Sequence, residues 1–354
     1  MTTSYEVVLV AVTPQSSGQP TYTELCPIVQ PTDLTIVDEL SGPGSITVSS
    51  SVDTLDPAGA ARLINLLATP CELWVRRSTS STVIAAGNVT GVAVEGRQLT
   101  ITASGLLSYL AYWLRDSDYT ATAVDQATIV QQLVDQWQAQ PYSHDGIVTT
   151  ALTATGVTRN LTIAGRDGKL ILPLVVEMGG RDNGFDLSVD PATRQLRMWS
   201  PRRGNDLTSS VIIDARSIAK ANIRWTVAPG TVATEVFGMS MSDKGGTLTS
   251  IKSNTTARAT FGRAYIARSW NDISDQATLD DHTNRAVTDV STQHYTLAPQ
   301  LLPVPGFSYG DFGVGDVLTY DYDAGLGRQA FSFRVSAITM KAGSGRETMT
   351  VAQL

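Results

Sequence analysis

The sequence predicts a mainly β protein with an α+β middle domain, in which two related β-barrel-like domains flank a helix-containing one. Three observations carry this. Thr, Val, Ser and Gly are abundant while Lys and Glu are infrequent, a balance that favours strands and turns over helices. Short apolar or alternating runs fill both ends of the chain, whereas a helical period governs its middle. One hairpin is also written twice, as "GNVTGVAVEGRQLTITA" at 87–103 and as "FRVSAITMKAGSGRETMTVA" at 333–352.

The first domain is expected over residues 1–112. "YEVVLVAV" (5–12) is apolar throughout and reads as a buried strand, followed by "LTIVDEL" (34–40). "GSITVSS" (44–50) alternates Ile46 and Val48 with small polar residues, the mark of a half-buried strand. "DPAGAARLINLLA" (56–68) fits a short helix, with Asp56 as cap, Pro57 at its first position and Leu63, Ile64, Leu66 and Leu67 turned inward. "CELWVRR" (71–77), "TVIAAGNVTGVAV" (82–94) and "LTITA" (99–103) complete the domain.

The period changes over 113–220. In "DQATIVQQLVDQWQAQ" (125–140), Ile129, Val130, Leu133, Val134 and Trp137 recur on one helical face behind an Asp125 cap. "GKLILPLVVEMGG" (168–180) is a second helix, with Pro173 in its first turn and Gly179-Gly180 as its stop. A hairpin follows: "GFDLSVD" (184–190), a "PATRQ" turn and "LRMWS" (196–200).

The last domain, 221–354, returns to strands at "NIRWTVA" (222–228), "EVFGMSMSD" (235–243) and "TLTSIKS" (247–253). A helix near 274–291, capped by Ser274 or Asp275, carries a thin apolar stripe of Ala277, Leu279, Ala286, Val287 and Val290, which places it on the outside. A Pro-rich crossing (297–306) leads to "VGDVLTYDYD" (314–323) and the closing hairpin.

Setting Val89 over Val335 aligns the two hairpins, with Leu99-Thr100-Ile101 falling on Met349-Thr350-Val351. The second loop is four residues longer, an even difference that keeps every side chain on its face. The preceding strands align as Leu73-Trp74-Val75 over Val317-Leu318-Thr319. Residues 1–112 and 221–354 thus read as two copies of one barrel-like domain.

Composition excludes several function classes. The formal net charge of −7 disfavours a sequence-independent nucleic-acid binder, and "SPRRG" (200–204) is the one short basic candidate. Cys26 and Cys71 alone make no disulfide framework or Cys-x-x-Cys motif. No signal peptide and no apolar run of membrane-spanning length is evident, which implies a protein made in the cytosol. His144, His282 and His294 have no metal-ligand spacing and read as exposed polar residues. Nucleophile elbow, Walker loop and dinucleotide fingerprint are absent. Asp311, Asp316, Asp321 and Asp323 lack calcium-loop spacing and read as turn residues around a strand. No catalytic, cofactor-binding or metal residue is assigned, and the chain reads as a non-enzyme.

Four stretches carry a family resemblance. They are "CELWVRRS…VIAAGNVTGVAVEGRQLTITASGLLSYLAYWL", "LVVEMGGRDNGFDLSVDPATRQLRMWSPRRGNDLT", "ISDQATLDDHTNRAV" and "VGDVLTYDY…FRVSAITM…RETMTVAQL". In this order they resemble the tail-hub, or baseplate-hub, proteins often labelled minor tail proteins in siphophages of actinobacteria. The polar pair His282 and Thr283 and the long crossing 291–313 depart from the family's pattern.

The resemblance implies a structural virion protein at the tail tip, made in the bacterial host cytoplasm. It implies a homotrimer at the distal end of the tail tube, whose two barrels per chain adapt a threefold tip to a sixfold tube. Implied partners are a distal tail or tail tube protein, the tape-measure protein and tip or fibre proteins, with DNA passing through the lumen unbound. Trp199, Pro201, Arg202 and Arg203 are the interface candidates. The alternatives are a receptor- or carbohydrate-binding tip protein, which would expose Trp74, Trp199 and Trp225, and a tail-associated cell-wall hydrolase, using His144, Asp316 or Asp321.

Overall fold

The structure is a computed structural model that describes residues 5–28, 31–54, 70–142, 145–181, 183–221, 223–226, 233–241, 247–270, 273, 275–291, 294–323, 325, 327–343 and 346–353. The helix expected at 56–68 lies outside these residues. The chain divides into two compact units, one of Met1–Val176, Phe185–Ala221 and Ala298–Leu354, the other of Glu177–Gly184 and Asn222–Leu297.

In the first unit, the chain begins with β1 (Tyr5–Thr13), β2 (Thr21–Ile28), β3 (Asp33–Glu39), β4 (Ser45–Ser51), β5 (Cys71–Arg77), β6 (Val83–Glu95) and β7 (Gln98–Gly105). These pair antiparallel in the order β3-β4-β7-β6-β5-β1-β2. Alternate residues of each strand meet in one core: Val7 and Leu9, Cys26 and Ile28, Leu34 and Ile36, Ile46 and Val48, Leu73 and Val75, Leu99 and Ile101. Because β2 and β3 share this core from opposite ends of the order, the sheet curls on itself as a barrel does. β2 has no clean alternation in its sequence, and it is the one strand of the seven that the sequence reading does not anticipate.

The middle segment supplies β8 (Leu114–Arg115), β9 (Tyr119–Asp125), β10 (Thr158–Ile163), β11 (Lys169–Leu170), and the hairpin of β12 (Asp186–Val189) and β13 (Leu196–Trp199). Helix Gln126–Gln138 starts where expected, the Asp125 carboxylate accepting from the Ala127 amide. Ile129, Val130, Leu133 and Val134 are fully buried along it. Helix Ile171–Gly179 carries Pro173 in its first turn, where a missing amide proton costs nothing.

β14 (Ile212–Ile213) and β15 (Ile218–Lys220) follow, and β16 (Ile223–Thr226) opens the second unit's share of strands. There, β17 (Glu235–Met241) pairs antiparallel with β18 (Thr247–Ser253) and parallel with β19 (Tyr265–Ser269). β17 and β18, read from sequence as part of the closing β domain, thus belong to a small sheet of their own. Helix Gln276–Val290, capped by Asp275, lays Leu279, His282, Thr283 and Val287 inward, whereas Ala277 of the expected stripe is exposed. Gly238 in β17 makes room for it, since a Cβ there would sit 2.2 Å from Thr283 Oγ1. β16 pairs with β20 (His294–Leu297).

The chain returns to the first unit with β21 (Gln300–Leu301), β22 (Val317–Asp323), β23 (Arg328–Gly343) and β24 (Arg346–Gln353). The sheet order β15-β21-β24-β23 runs directly on into β3, so both ends of the chain share one sheet. The two hairpins are equivalent pair by pair. Val92 opposite Ile101 matches Ile338 opposite Val351, and Val94 opposite Leu99 matches Met340 opposite Met349. Both ladders slip at the same place, between Val89 and Gly91 and between Val335 and Ala337.

The correspondence extends outward. Gly87 and Phe333 are equivalent, and they face Leu73 and Leu318. Leu73 therefore lies over Leu318, one residue beyond the alignment read from sequence. The loop between the strands absorbs the odd residue, and register follows pairing rather than loop length. On the other side, Ile36 opposite Ile46 has its counterpart in Ile223 opposite Leu297, and β21 stands against β24 as β4 stands against β7. In the first repeat the turn between these paired strands spans Leu40–Gly44; in the second it holds residues 227–293.

Candidate functional site

The interface candidates lie on a loop that leaves β13 and reaches the start of β22. Trp199 is half-buried, with the Arg203 guanidinium stacked 4.8 Å from its ring centre. Ser200–Pro201 is a cis peptide, and Pro201 and Arg202 are exposed. Trp199 and Arg203 line a cleft together with Ile36, Asp38, Pro43 and Leu106. Burial raises the Asp38 carboxyl above the usual carboxylate range, although Arg203 pulls against this.

What holds the loop is polar. Asp186 accepts from the Arg203 amide at 2.6 Å and pairs with the Arg334 guanidinium. Arg334 also donates to the carbonyls of Arg203 (2.9 Å) and Gly315 (3.1 Å). Asp316 accepts from the amides of Asn205 (2.7 Å) and Gly313 (2.8 Å). Gly204 (φ 107°) and Gly315 (φ 94°) pass so closely that a Cβ on Gly204 would lie 2.1 Å from the Gly315 carbonyl. Of the candidates, Arg203 is therefore committed to this clasp through its backbone, and Pro201 and Arg202 form its outward face.

The acidic residues noted around β22 do not converge. Asp316 is in the clasp, Asp311 accepts from the Ser308 amide, Asp321 forms a two-pronged pair with Arg328, and Asp323 accepts from the Gly325 amide. Among the described residues, no group of three or more His, Cys, Asp or Glu side chains could hold a metal ion. His144 lies outside the described residues, as does the side chain of His294. His282 corrects the expectation of an exposed histidine. It is 7% exposed, its ring centre is 5.4 Å from that of Trp270, and Nε2 stands 3.7 Å from the Glu177 carboxylate.

Sequence reading missed the densest polar cluster. Glu72 in β5 is fully buried, yet it accepts from Arg194 (2.9 and 3.1 Å), Trp74 Nε1 (2.8 Å) and the Tyr109 hydroxyl (2.7 Å). Arg194 also donates to the Asp145 carbonyl at 2.7 Å, and Asp145 Oδ2 accepts from Trp113 Nε1 at 2.6 Å. Burial pushes the Asp145 carboxyl up to about 6 against the opposing pull of Trp113 and Arg194. Burial, followed by the Glu72 charge, raises the Tyr109 hydroxyl as well. The cluster joins the outer face of β5 to the β12–β13 turn, where Arg194 (φ 59°) sits. Both carboxylate oxygens of Glu72 have two protein donors each, which suits a fixed joint.

Among the described residues, the tryptophans present no single exposed face. Trp74 and Trp199 are half-buried, Trp113 is 2% exposed and stacks on Trp137, and the side chain of Trp225 is not described.

No family model matches the chain, and no curated protein matches it by sequence. Solved structures do. A 43 kDa tail protein of prophage MuSo2 from Shewanella oneidensis aligns at a TM-score of 0.65 with 10% identity, over 99% of this chain and 98% of that one. A tail protein from Neisseria meningitidis MC58 aligns at 0.60 with 11% identity, over 99% and 96%. Prophage tail protein gp18 from Listeria monocytogenes EGD-e aligns at 0.57 with 12% identity, over 99% and 94%. The chain has the fold of these proteins from end to end.

Proposed function

We propose that the chain is a structural component of a phage tail: a homotrimeric hub at the distal end of the tail tube. The observation that carries this reading is the register-matched repeat within one sheet. A chain with two equivalent β repeats presents two similar faces, so three copies around a threefold axis offer six such faces to a tube built from rings of six. The full-length likeness in fold to phage tail proteins supports the same reading. The distal tail or tube protein, the tape-measure protein and tip or fibre proteins are the partners this position brings, and the virion tail tip is its location. A net charge of −7 suits a lumen through which DNA passes without being gripped. The role asks for no chemistry of the chain, in keeping with acidic residues committed to turns and ion pairs. Mass photometry and negative-stain imaging of the purified protein test the reading. Ring-shaped trimers are the expected result, and a strict monomer at high concentration overturns it.

A further inference from the structure

The cleft beside Trp199 and Arg203 lies within the first unit, between the β3–β4 turn of the barrel and the β12–β13 hairpin. Its walls are fixed to each other. Ser41 Oγ accepts from the Leu187 amide at 3.1 Å, and Asp186 accepts from the Arg203 amide at 2.6 Å. Gly105 passes so close to the turn that a Cβ on it would lie 1.9 Å from the Pro43 carbonyl. A site with walls held in this way needs little ordering before a ligand enters.

Polar groups converge inside it. Arg203 Nη1 is buried, yet it has no hydrogen-bond acceptor among the described residues. A guanidinium does not give up its charge, so a buried nitrogen of this kind calls for an acceptor. Burial raises the Asp38 carboxyl while the Arg203 charge opposes it, and among the described residues the two form no ion pair. Burial, followed by the Asp38 charge, raises the Tyr309 hydroxyl, which belongs to the same group. On the hairpin, Asp190 and Arg197 are already paired at 2.6 Å. Two acids thus balance two bases, and the hydrogen-bonding capacity left over is that of Asp38 and Arg203.

Volume sets the size of what fits. The cleft holds about 180 Å³, a little more than the roughly 150 Å³ of a cavity that takes one benzene molecule. That is room for a single six-membered ring. Balanced charge asks for a neutral one, and the pair of Asp38 and Arg203 asks for groups that both donate and accept. A ring hydroxyl does both. Ser45 and Ser188 also line the cleft, so it offers more polar partners than the one hydroxyl of a phenol can use. Trp199, Ile84 and Pro191 supply apolar wall for the C–H groups of such a ring. We propose that this cleft binds one neutral pyranose unit of a saccharide, with Asp38 and Arg203 as its principal hydrogen-bonding residues. The site goes beyond the hub reading and does not depend on it.

Saturation-transfer NMR on the full chain tests it, with the methyl glycosides of glucose, galactose, mannose and N-acetylglucosamine as probes. At least one should bind at millimolar concentration and shift the tryptophan emission. Asp38→Asn and Arg203→Met should each weaken that binding at least about tenfold, the loss expected for one hydrogen bond to a charged group. Asp38→Asn is isosteric and carries the test alone if Arg203→Met fails to fold. Absence of binding by all four glycosides at tens of millimolar overturns the proposal, as does binding that the folded variants leave at parental strength. p-Cresol, a stand-in for a tyrosine side chain, is the competing probe. Its binding without that of any glycoside overturns the saccharide and assigns the cleft to a protein partner.

Discussion

Arg194 lays two guanidinium nitrogens on the carboxylate of Glu72, Nη1 to Oε2 at 2.9 Å and Nη2 to Oε1 at 3.1 Å, where Glu72 is fully buried. Removing one member of such a pair leaves the other charge stranded away from water, at a cost of about 3–5 kcal/mol. Arg194→Ala is expected to lose stability on that scale in urea unfolding. Arg194→Lys should recover only part of it, because an ammonium cannot reproduce the two-pronged geometry.

Asp145 gives the same joint a pH dependence. Its carboxyl, raised to about 6 chiefly by burial, holds its proton more tightly in the folded chain than in the unfolded one. That contribution to stability is fully present below the ordinary carboxylate range near 4 and is lost as pH rises through about 6. Asp145→Asn keeps an acceptor for Trp113 and carries no charge. Its stability should gain on the parent by roughly 2–3 kcal/mol between pH 4 and pH 7, read from unfolding curves at several pH values.

Met340 and Val94 occupy equivalent ladder positions with opposite burial, so the same substitution should have opposite weight. Met340→Ala removes a fully buried side chain and is expected to cost about 2–5 kcal/mol. Val94→Ala, at 58% exposure, should cost the monomer less than about 0.5 kcal/mol. Chemical denaturation of both variants below the assembly concentration checks this pair.

Gly204 tests the clasp. Its positive φ and the 2.1 Å approach to the Gly315 carbonyl leave no place for a methyl group. Gly204→Ala should destabilise by more than about 1 kcal/mol. It should also release Trp199 from its stack with Arg203, visible as a shift in tryptophan emission.

Much of this fold is legible in the sequence because strands and helices write their period locally. The caps at Asp125 and Asp275 and the alternation of Ile46 and Val48 each stand in a few consecutive residues. The repeated hairpin is legible for the same reason, down to its register. What escapes is what lies between elements. Nothing in "CELWVRR" marks Glu72 as buried, since its burial depends on Arg194 and Tyr109, which arrive from distant segments. His282 reads as polar surface until Trp270 and Glu177 are known to face it. The pairing of β23 with β3 has no local signature either, because an edge is defined by which neighbour is missing. Among the site candidates, the hold of Asp186 and Arg334 on Arg203 required the structure.

The turn that carries residues 227–293 has a consequence for how such a chain can change. Its two ends, Thr226 and His294, are ladder partners. From the standpoint of the paired strands the whole insert is therefore a single reversal, doing what Leu40–Gly44 does in the first repeat. The entropy of closing a loop grows only with the logarithm of its length, so each doubling adds about 0.6 kcal/mol. The position behaves as a socket: what is plugged into it can be enlarged, shortened or exchanged, and natural variation in this fold can accumulate there while the ladders on either side keep their register.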